Sequence, residues 1–271
     1  MGVIPNDSTT SDARLAVAAA SAGAEVVRAR YGSRLARFDK GAGDFATDAD
    51  LAAERAILAV LRAQRPDDAV TAEESGHSGA TGASRRWLVD PLCGTLNYAV
   101  GTMLVAVNVA LSSGGETTAA ASADPFSGEV FFTDGETAYV RSGGTDVVLA
   151  PSPDSRLVDV NLDPPFPNAP GFTATGLLAD PGFAARFRPR VVSTTLAVAW
   201  VAAGRRAAYV TDGHLDGSVH FAAGIALCRA AGCVVTGLRG QPLHTGVGGL
   251  VAAADAETHA ALLELIRDRV G

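Results

Sequence analysis

The chain has 271 residues, 48% of them apolar and 19% charged, with 22 Lys and Arg against 29 Asp and Glu for a formal charge of −7. That length and apolar share predict a packed chain of one large or two small domains and exclude a disordered, collagenous or coiled-coil protein. The acidic balance offers no field for a polyanion, so no nucleic-acid partner is expected, and no run approaches the roughly 18 uninterrupted apolar residues of a membrane span.

Residues 1–10 are polar and irregular. Asp12–Tyr31 then carries Leu15, Ala18, Ala19, Ala22 and Val26 near helical spacing, which predicts an amphipathic helix. Its apolar stretch Leu15–Ala20 lies between Asp12, Arg14 and Glu25, unlike a secretory leader, and a cytoplasmic location is expected. Lys40–Ala46 reads as a glycine-rich loop. Asp48 or Asp50 can cap a second helix, with Leu51, Ile57, Leu58 and Leu61 near one face, until Arg65-Pro66 stops it. The period then changes. Ala69–Ala72, Trp87–Val89, Met103–Leu111, Thr117–Ala121, Val130–Thr133, Ala138–Arg141 and Val147–Ala150 are short runs between Gly, Pro, Asp or Ser turns, and they predict a mostly antiparallel sheet.

Pro151–Pro170 holds six prolines and reads as the junction between two halves, 1–150 and 151–271, of one compact unit. Beyond it, strands at Val191–Val192, Ala207–Thr211, Val234–Val235 and Leu250–Ala254 alternate with helices at Thr194–Ala203, Phe221–Ala231 and Glu257–Arg269. This alternation predicts helices layered on a second sheet. Cys93, Cys228 and Cys233 form neither an even disulfide framework nor a CxxC pair, which fits a reducing compartment. Cys228 and Cys233 read as small core residues, and His77, His244 and His259 as surface residues. Lys40 is the one lysine, a bias towards Arg that points to no function by itself.

Four clusters carry candidate chemistry: Asp48-Ala49-Asp50 with Glu54; Glu73-Glu74 after a strand; Asp90-Pro-Leu-Cys93-Gly-Thr95 after another; and Asp212 through His220 before a helix. Acidic groups at strand ends recur as holders of divalent cations, and hard oxygen ligands suit Mg²⁺. Taken singly, such residues are more often helix caps and solvated loops. Their order is more specific: Ala46-Thr-Asp-Ala-Asp50-Leu-Ala-Ala-Glu54, Ala72-Glu-Glu74-Ser, Trp87-Leu-Val-Asp90-Pro-Leu-Cys-Gly-Thr95-Leu-Asn97-Tyr98, and His220-Phe-Ala-Ala-Gly224.

This order resembles the inositol monophosphatase family over about residues 12–268, most specifically in Trp87–Tyr98. The resemblance implies an α+β fold, a layered α/β/α/β/α sandwich, with Mg²⁺-dependent hydrolysis of a small phosphate monoester and a homodimer. It implies Glu73, Asp90 and the carbonyl of Leu92 as ligands of a first metal. Thr95 and Asp50 match the pair that orients and deprotonates the attacking water. The N–H groups of Gly94 and Thr95, if they open a helix, would cradle the phosphate. Asp212, His214 or Asp216 could face the substrate, although such a loop also reads as a solvated turn.

Two positions depart from the family pattern. Cys93 stands where it has the second Asp of Asp-Pro-x-Asp-Gly-Thr, and His220 where it has the Asp of Trp-Asp-x-Ala-Ala-Gly. With Asp90 these would form a second metal subsite, so Mg²⁺ there is not expected. Three readings stand open. Asp90, Cys93 and His220 could ligate Zn²⁺ or another borderline metal. His220 could act as cation or general acid towards the leaving group beside a single Mg²⁺, with no metal at the altered subsite. Or turnover could be lost, leaving a scaffold that binds a phosphorylated ligand or a partner, or catalyses another reaction. Cys93 as a nucleophile lacks a following Arg loop or adjacent His. Ala230 stands where the family has a substrate-facing Glu, so inositol phosphate itself is not expected.

Overall fold

The computed structural model describes residues 11–41, 44–163, 174–267 and 269; the irregular segment 1–10 lies outside them. Helix α1, Asp12–Arg30, is opened by Ser11, whose hydroxyl accepts the Arg14 N–H, and buries Leu15, Ala16, Ala19, Ala20 and Val27. Helix α2, Asp48–Gln64, buries Ala49, Ala53, Ile57 and Leu61. The two helices meet at Gly23, where a Cβ would fall 2.7 Å from Ile57 Cδ1 and force that side chain to shift.

Where the sequence predicts a glycine-rich loop, Lys40–Ala46, the chain instead pairs β1, Arg37–Gly41, antiparallel with β2, Asp44–Thr47. The flanking residues carry the ladder: Asp39 pairs with Phe45, and the Arg37 guanidinium lies 4.7 Å from the Phe45 ring centre.

The larger sheet is built from β3 (Ala69–Ala72), β4 (Gly76–Ser78), β5 (Arg85–Cys93), β6 (Ala106–Ser113), β7 (Glu116–Ala123), β8 (Val130–Thr133), β9 (Ala138–Ser142) and β10 (Thr145–Val148). Its order is β10-β9-β8-β7-β6-β5-β3-β4, and its pairs are antiparallel except the parallel β3 and β5. Alternation assigns its faces. Val107, Val109 and Leu111 of β6 and Ala119, Ala121 and Ala123 of β7 join α1 and α2 in one core, while Ala110 and Ala120 point the other way.

The second sheet takes its strands from later in the chain: β11 (Leu157–Val160), β12 (Arg188–Val191), β13 (Ala208–Thr211), β14 (Val234–Thr236) and β15 (Leu250–Ala253), in the order β12-β11-β13-β15-β14. Helices α6 (Leu196–Ala202) and α7 (Ala222–Ala230) fill the space between the sheets, packing with Tyr209 of β13 and Phe131 of β8. On the outer face, α4 (Ala174–Leu178), α5 (Pro181–Arg186) and α8 (Ala256–Ile266) cover Val158, Val160, Ala208, Val210 and Val251. The result is the expected α/β/α/β/α sandwich.

Several expectations need correction. The proline-rich segment contributes β11, because Leu157-Val-Asp-Val160 pairs in parallel with both β12 and β13; its residues 164–170 lie outside the described ones. Strand β4 and helices α4 and α5 come as additions, and α5 carries its own signal in Asp180-Pro181, where Asp180 accepts the N–H groups of Gly182 and Phe183. His259 is buried rather than on the surface, its Nε2 2.7 Å from Thr236 Oγ1. Of the two cysteines expected in the core, Cys228 is buried and Cys233 half-buried. No helix among the described residues is long and apolar enough to cross a membrane.

Candidate active site

Helix α2 begins at the site. Thr47 caps it, and Asp50, three residues on, closes a reciprocal capping box. Asp50 Oδ2 accepts the Thr47 N–H at 2.9 Å and the Thr47 hydroxyl at 2.5 Å, so the carboxylate is anchored by one oxygen and presents the other. That free edge, Oδ1, lies 2.9 Å from Thr95 Oγ1. Asp50 is fully buried, and burial pushes its pKa above the usual value, against the pull of the hydrogen bonds from Thr47 and Thr95.

Thr95 is placed by an irregularity in β5. The ladder pairs Asp90 with Asn108 and Cys93 with Ala106, which leaves one extra residue on β5, a bulge at Pro91-Leu92. Pro91 has no N–H to give the ladder, and the Leu92 carbonyl turns to within 3.1 Å of Thr95 Oγ1. Gly94 then takes φ of +98° and caps the short helix α3, Thr95–Ala99; a Cβ there would lie 2.8 Å from the Leu104 carbonyl oxygen.

Beyond β3, Glu73 extends the pairing by donating its N–H to the Val89 carbonyl at 3.0 Å. Glu54 of α2 fixes the following turn by accepting the Glu74 and Ser75 N–H groups at 2.8 and 3.0 Å. Lys40, from the β1–β2 hairpin, reaches Glu73 Oε1 at 3.1 Å and Glu74 Oε1 at 2.7 Å. Sequence reasoning missed Lys40; the signal lay in its being the one lysine, beside a motif rich in carboxylates. Its pKa is raised, because the charges of Glu73 and Glu74 outweigh the opposing effect of burial. Glu73 Oε2 is buried without a hydrogen-bond partner. Burial first, and the Asp90 charge second, push the Glu73 pKa well above its ordinary value.

Asp90 is fully buried and accepts the Leu92 N–H on Oδ1 at 3.1 Å. Its Oδ2 lies 2.9 Å from His220 Nδ1 and 3.4 Å from Asn108 Nδ2. Asn108 donates also to Thr195 Oγ1 at 2.8 Å and accepts the Ser122 hydroxyl at 2.8 Å. Thr195, at the start of α6, gives its N–H to Cys93 Sγ at 3.4 Å. One ligand atom each from Asp90, Cys93 and His220 lies within 4.8 Å of the others. Burial lowers the His220 pKa, but the charge and hydrogen bond of Asp90 outweigh it and push it up to about 9. Burial, then Asp90, pushes the Cys93 thiol well up.

The fold thus brings together Asp50, Glu73, Asp90, Leu92, Cys93, Gly94, Thr95 and His220. Asp212 sits fully buried just after β13, while His214 and Asp216 of the same loop are exposed. The donor chemistry divides. Glu73, Asp90 and the Leu92 carbonyl are hard oxygens, and the unpartnered Glu73 Oε2 fits a Mg²⁺ ligand. Cys93 and His220 do not fit a second Mg²⁺, which takes oxygen.

The chain is similar to known proteins over most of its length. The family model described as "Inositol monophosphatase family" matches residues 9–270. A probable inositol 1-monophosphatase ImpA of Mycobacterium tuberculosis is 32% identical over 239 residues, 84% of this chain and 83% of its own. Nus factor SuhB of Escherichia coli K12 is 32% identical over 240 residues, 85% of each chain. Among solved structures, the extragenic suppressor protein suhB of Bartonella henselae superposes with a TM-score of 0.80 at 25% identity, covering 95% of this chain and 98% of that one. An IMPase of Thermotoga maritima gives 0.74 at 20% identity over 92% and 96%, a likeness of fold. The chain belongs to the inositol monophosphatase family, a family of typically metal-dependent phosphatases.

Proposed function

We propose that the chain hydrolyses a small phosphate monoester, of a sugar, a cyclitol or a nucleotide, by direct attack of water. The observation that carries this reading is the pair Thr95 Oγ1 and Asp50 Oδ1, 2.9 Å apart beside the Leu92 carbonyl. Glu73, Asp90 and that carbonyl would hold Mg²⁺, which when bound supplies neutralising charge for the phosphoryl oxygens and acidifies water. Thr95 accepts a proton from the attacking water as its own hydroxyl proton passes to Asp50 Oδ1, while the ester P–O bond breaks and the departing oxygen takes a proton from solvent. Thr47 holds the far oxygen of Asp50 still, so the relay keeps its direction. The N–H groups of Gly94 and Thr95, where β5 gives way to α3, would receive phosphate oxygens. Both halves of the chain contribute, 1–150 with these groups and 151–271 with Thr195 and His220.

A second reading is favoured by Cys93 and His220, which stand where the motif has carboxylates: a scaffold that binds a phosphorylated ligand or a partner without turnover. The homodimer implied by the resemblance fits the exposed Leu96, Val100, Met103 and Leu104 around α3; sedimentation at a dimer mass is the expected result. The deciding experiment measures phosphate release from sugar, cyclitol and nucleotide monophosphates with Mg²⁺, Mn²⁺ or Zn²⁺, for wild type and Asp90→Asn. Turnover lost in the variant supports the hydrolase, whereas silence across the panel supports the scaffold.

A further inference from the structure

Asn108 and Ser122 are buried polar residues on neighbouring strands of the larger sheet, facing away from the α1–α2 core. Burying an amide and a hydroxyl costs free energy unless both find partners. Here the partners form a chain that ends on the same cluster: Ser122 holds Asn108, Asn108 reaches Asp90 and Thr195, and Thr195 holds Cys93. Hydrogen bonds that orient side chains from behind in this way are what a coordination site requires.

The spacing fits an ion. Metal–ligand bonds of about 2.0–2.3 Å in tetrahedral geometry put ligand atoms about 3.3–3.6 Å apart. His220 Nδ1 and Asp90 Oδ2 are 2.9 Å apart and all three ligand atoms lie within 4.8 Å of one another, so seating the ion asks the imidazole to move outward and the wider separations to close. The donor set decides its kind: a thiolate and an imidazole beside one carboxylate suit a borderline metal far better than Mg²⁺.

We propose that Asp90, Cys93 and His220 form a three-ligand site for Zn²⁺ or Co²⁺, its fourth position open to water or to an oxygen of the phosphate ester. Binding displaces two protons to solvent, that of the Cys93 thiol and that of His220 Nδ1 now facing Asp90. The site deepens the phosphatase reading and rests on it for the role of the ester, while the metal itself is read without turnover.

The test is a Co²⁺ titration of chelator-treated protein followed by absorption, with Zn²⁺ affinity from competition. One thiolate-ligated Co²⁺ per chain is expected, read from a thiolate-to-cobalt charge-transfer band in the near ultraviolet and apart from any Co²⁺ taken by the oxygen ligands Glu73, Asp90 and Leu92. Cys93→Ser should lose the band and weaken Zn²⁺ about 10²-fold or more, the larger end of what ligand-shell changes cost. His220→Ala should weaken it similarly, whereas Cys233→Ser should keep the band. X-ray absorption of bound Zn²⁺, showing one sulfur ligand in the wild type, carries the same test if Cys93→Ser fails to fold. A wild type without the band, or a band that survives in folded Cys93→Ser, overturns the proposal. Phosphate release from the same samples separates the two readings. Mg²⁺-dependent turnover without a cobalt band leaves the hydrolase and removes this site; the band without turnover on any metal does the reverse.

Discussion

The two ends of the site share β5 yet are built in opposite ways. The Asp50–Thr95 end is made of oxygens from residues 47–95, tied by hydrogen bonds between a helix start and a strand end. The Asp90–Cys93–His220 end mixes oxygen, sulfur and nitrogen and draws His220 across from the second half of the chain. The difference teaches where a family-like chemistry and an altered one can coexist: the pair proposed to activate water shares only Asp90 with the altered end.

Asp90 is therefore the residue that breaks both ends together. Asp90→Asn should reduce phosphate release by about 10⁴-fold or more, several kcal/mol of lost charge stabilisation, and also abolish the cobalt band. Thr95→Val should break one end alone, costing about 10²–10³-fold in turnover while Co²⁺ binding stays unchanged. Asp50→Asn should do the same, and here the pH dependence has a definite sign. Asp50 works as the carboxylate, and burial raises its pKa above 3.8, so turnover should rise as pH climbs through that raised value and fall below it. The same shift means that the folded state prefers protonated Asp50, and the charged form costs stability above the unfolded pKa. Asp50→Asn should therefore melt no lower than wild type, by calorimetry.

Lys40 sharpens the comparison with a smaller effect. Its ammonium competes with any cation for Glu73, so Lys40→Met should lower the Mg²⁺ concentration for half-maximal turnover about fivefold, near the 1 kcal/mol ceiling of a part-exposed pair. The smallest change is expected away from both ends. Arg85 bridges Asp12 of α1 and Asp68, and Asp68 also accepts the Trp87 indole N–H at 2.9 Å. Arg85→Ala should lower the melting temperature by about 2–4 °C, the equivalent of about 1 kcal/mol, with turnover unchanged.

The layered fold was legible because its helices and strands each keep one periodicity: Leu15, Ile57 and Leu61 in the first helices, Val107, Val109 and Leu111 in β6. The β1–β2 hairpin was not, because glycine in Lys40–Ala46 signals a turn and says nothing of the strands on either side. Lys40 was lost with it, since only that hairpin carries its ammonium to Glu73. The residues of the site were legible through motif order alone. That Asp90 and His220 meet, 130 residues apart, follows from the stacking of two sheets and from no local pattern. The Asn108–Ser122 chain was invisible for the same reason: in sequence these are two polar residues in apolar strands, and only their register sets Ser122 against Asn108 and Asn108 against Asp90.

The bulge at Pro91-Leu92 and the reach of His220 also set an order of events during synthesis. Asp90, Cys93 and Asn108 emerge from the ribosome with the larger sheet, but the imidazole that completes the three-ligand cluster follows 130 residues after Asp90. A nascent chain bearing only the first half displays a thiol and a carboxylate and lacks His220, so loading of the proposed metal there would wait on docking of the second half. Occupancy of that cluster would thus report that translation has passed His220 and that the two sheets have come together.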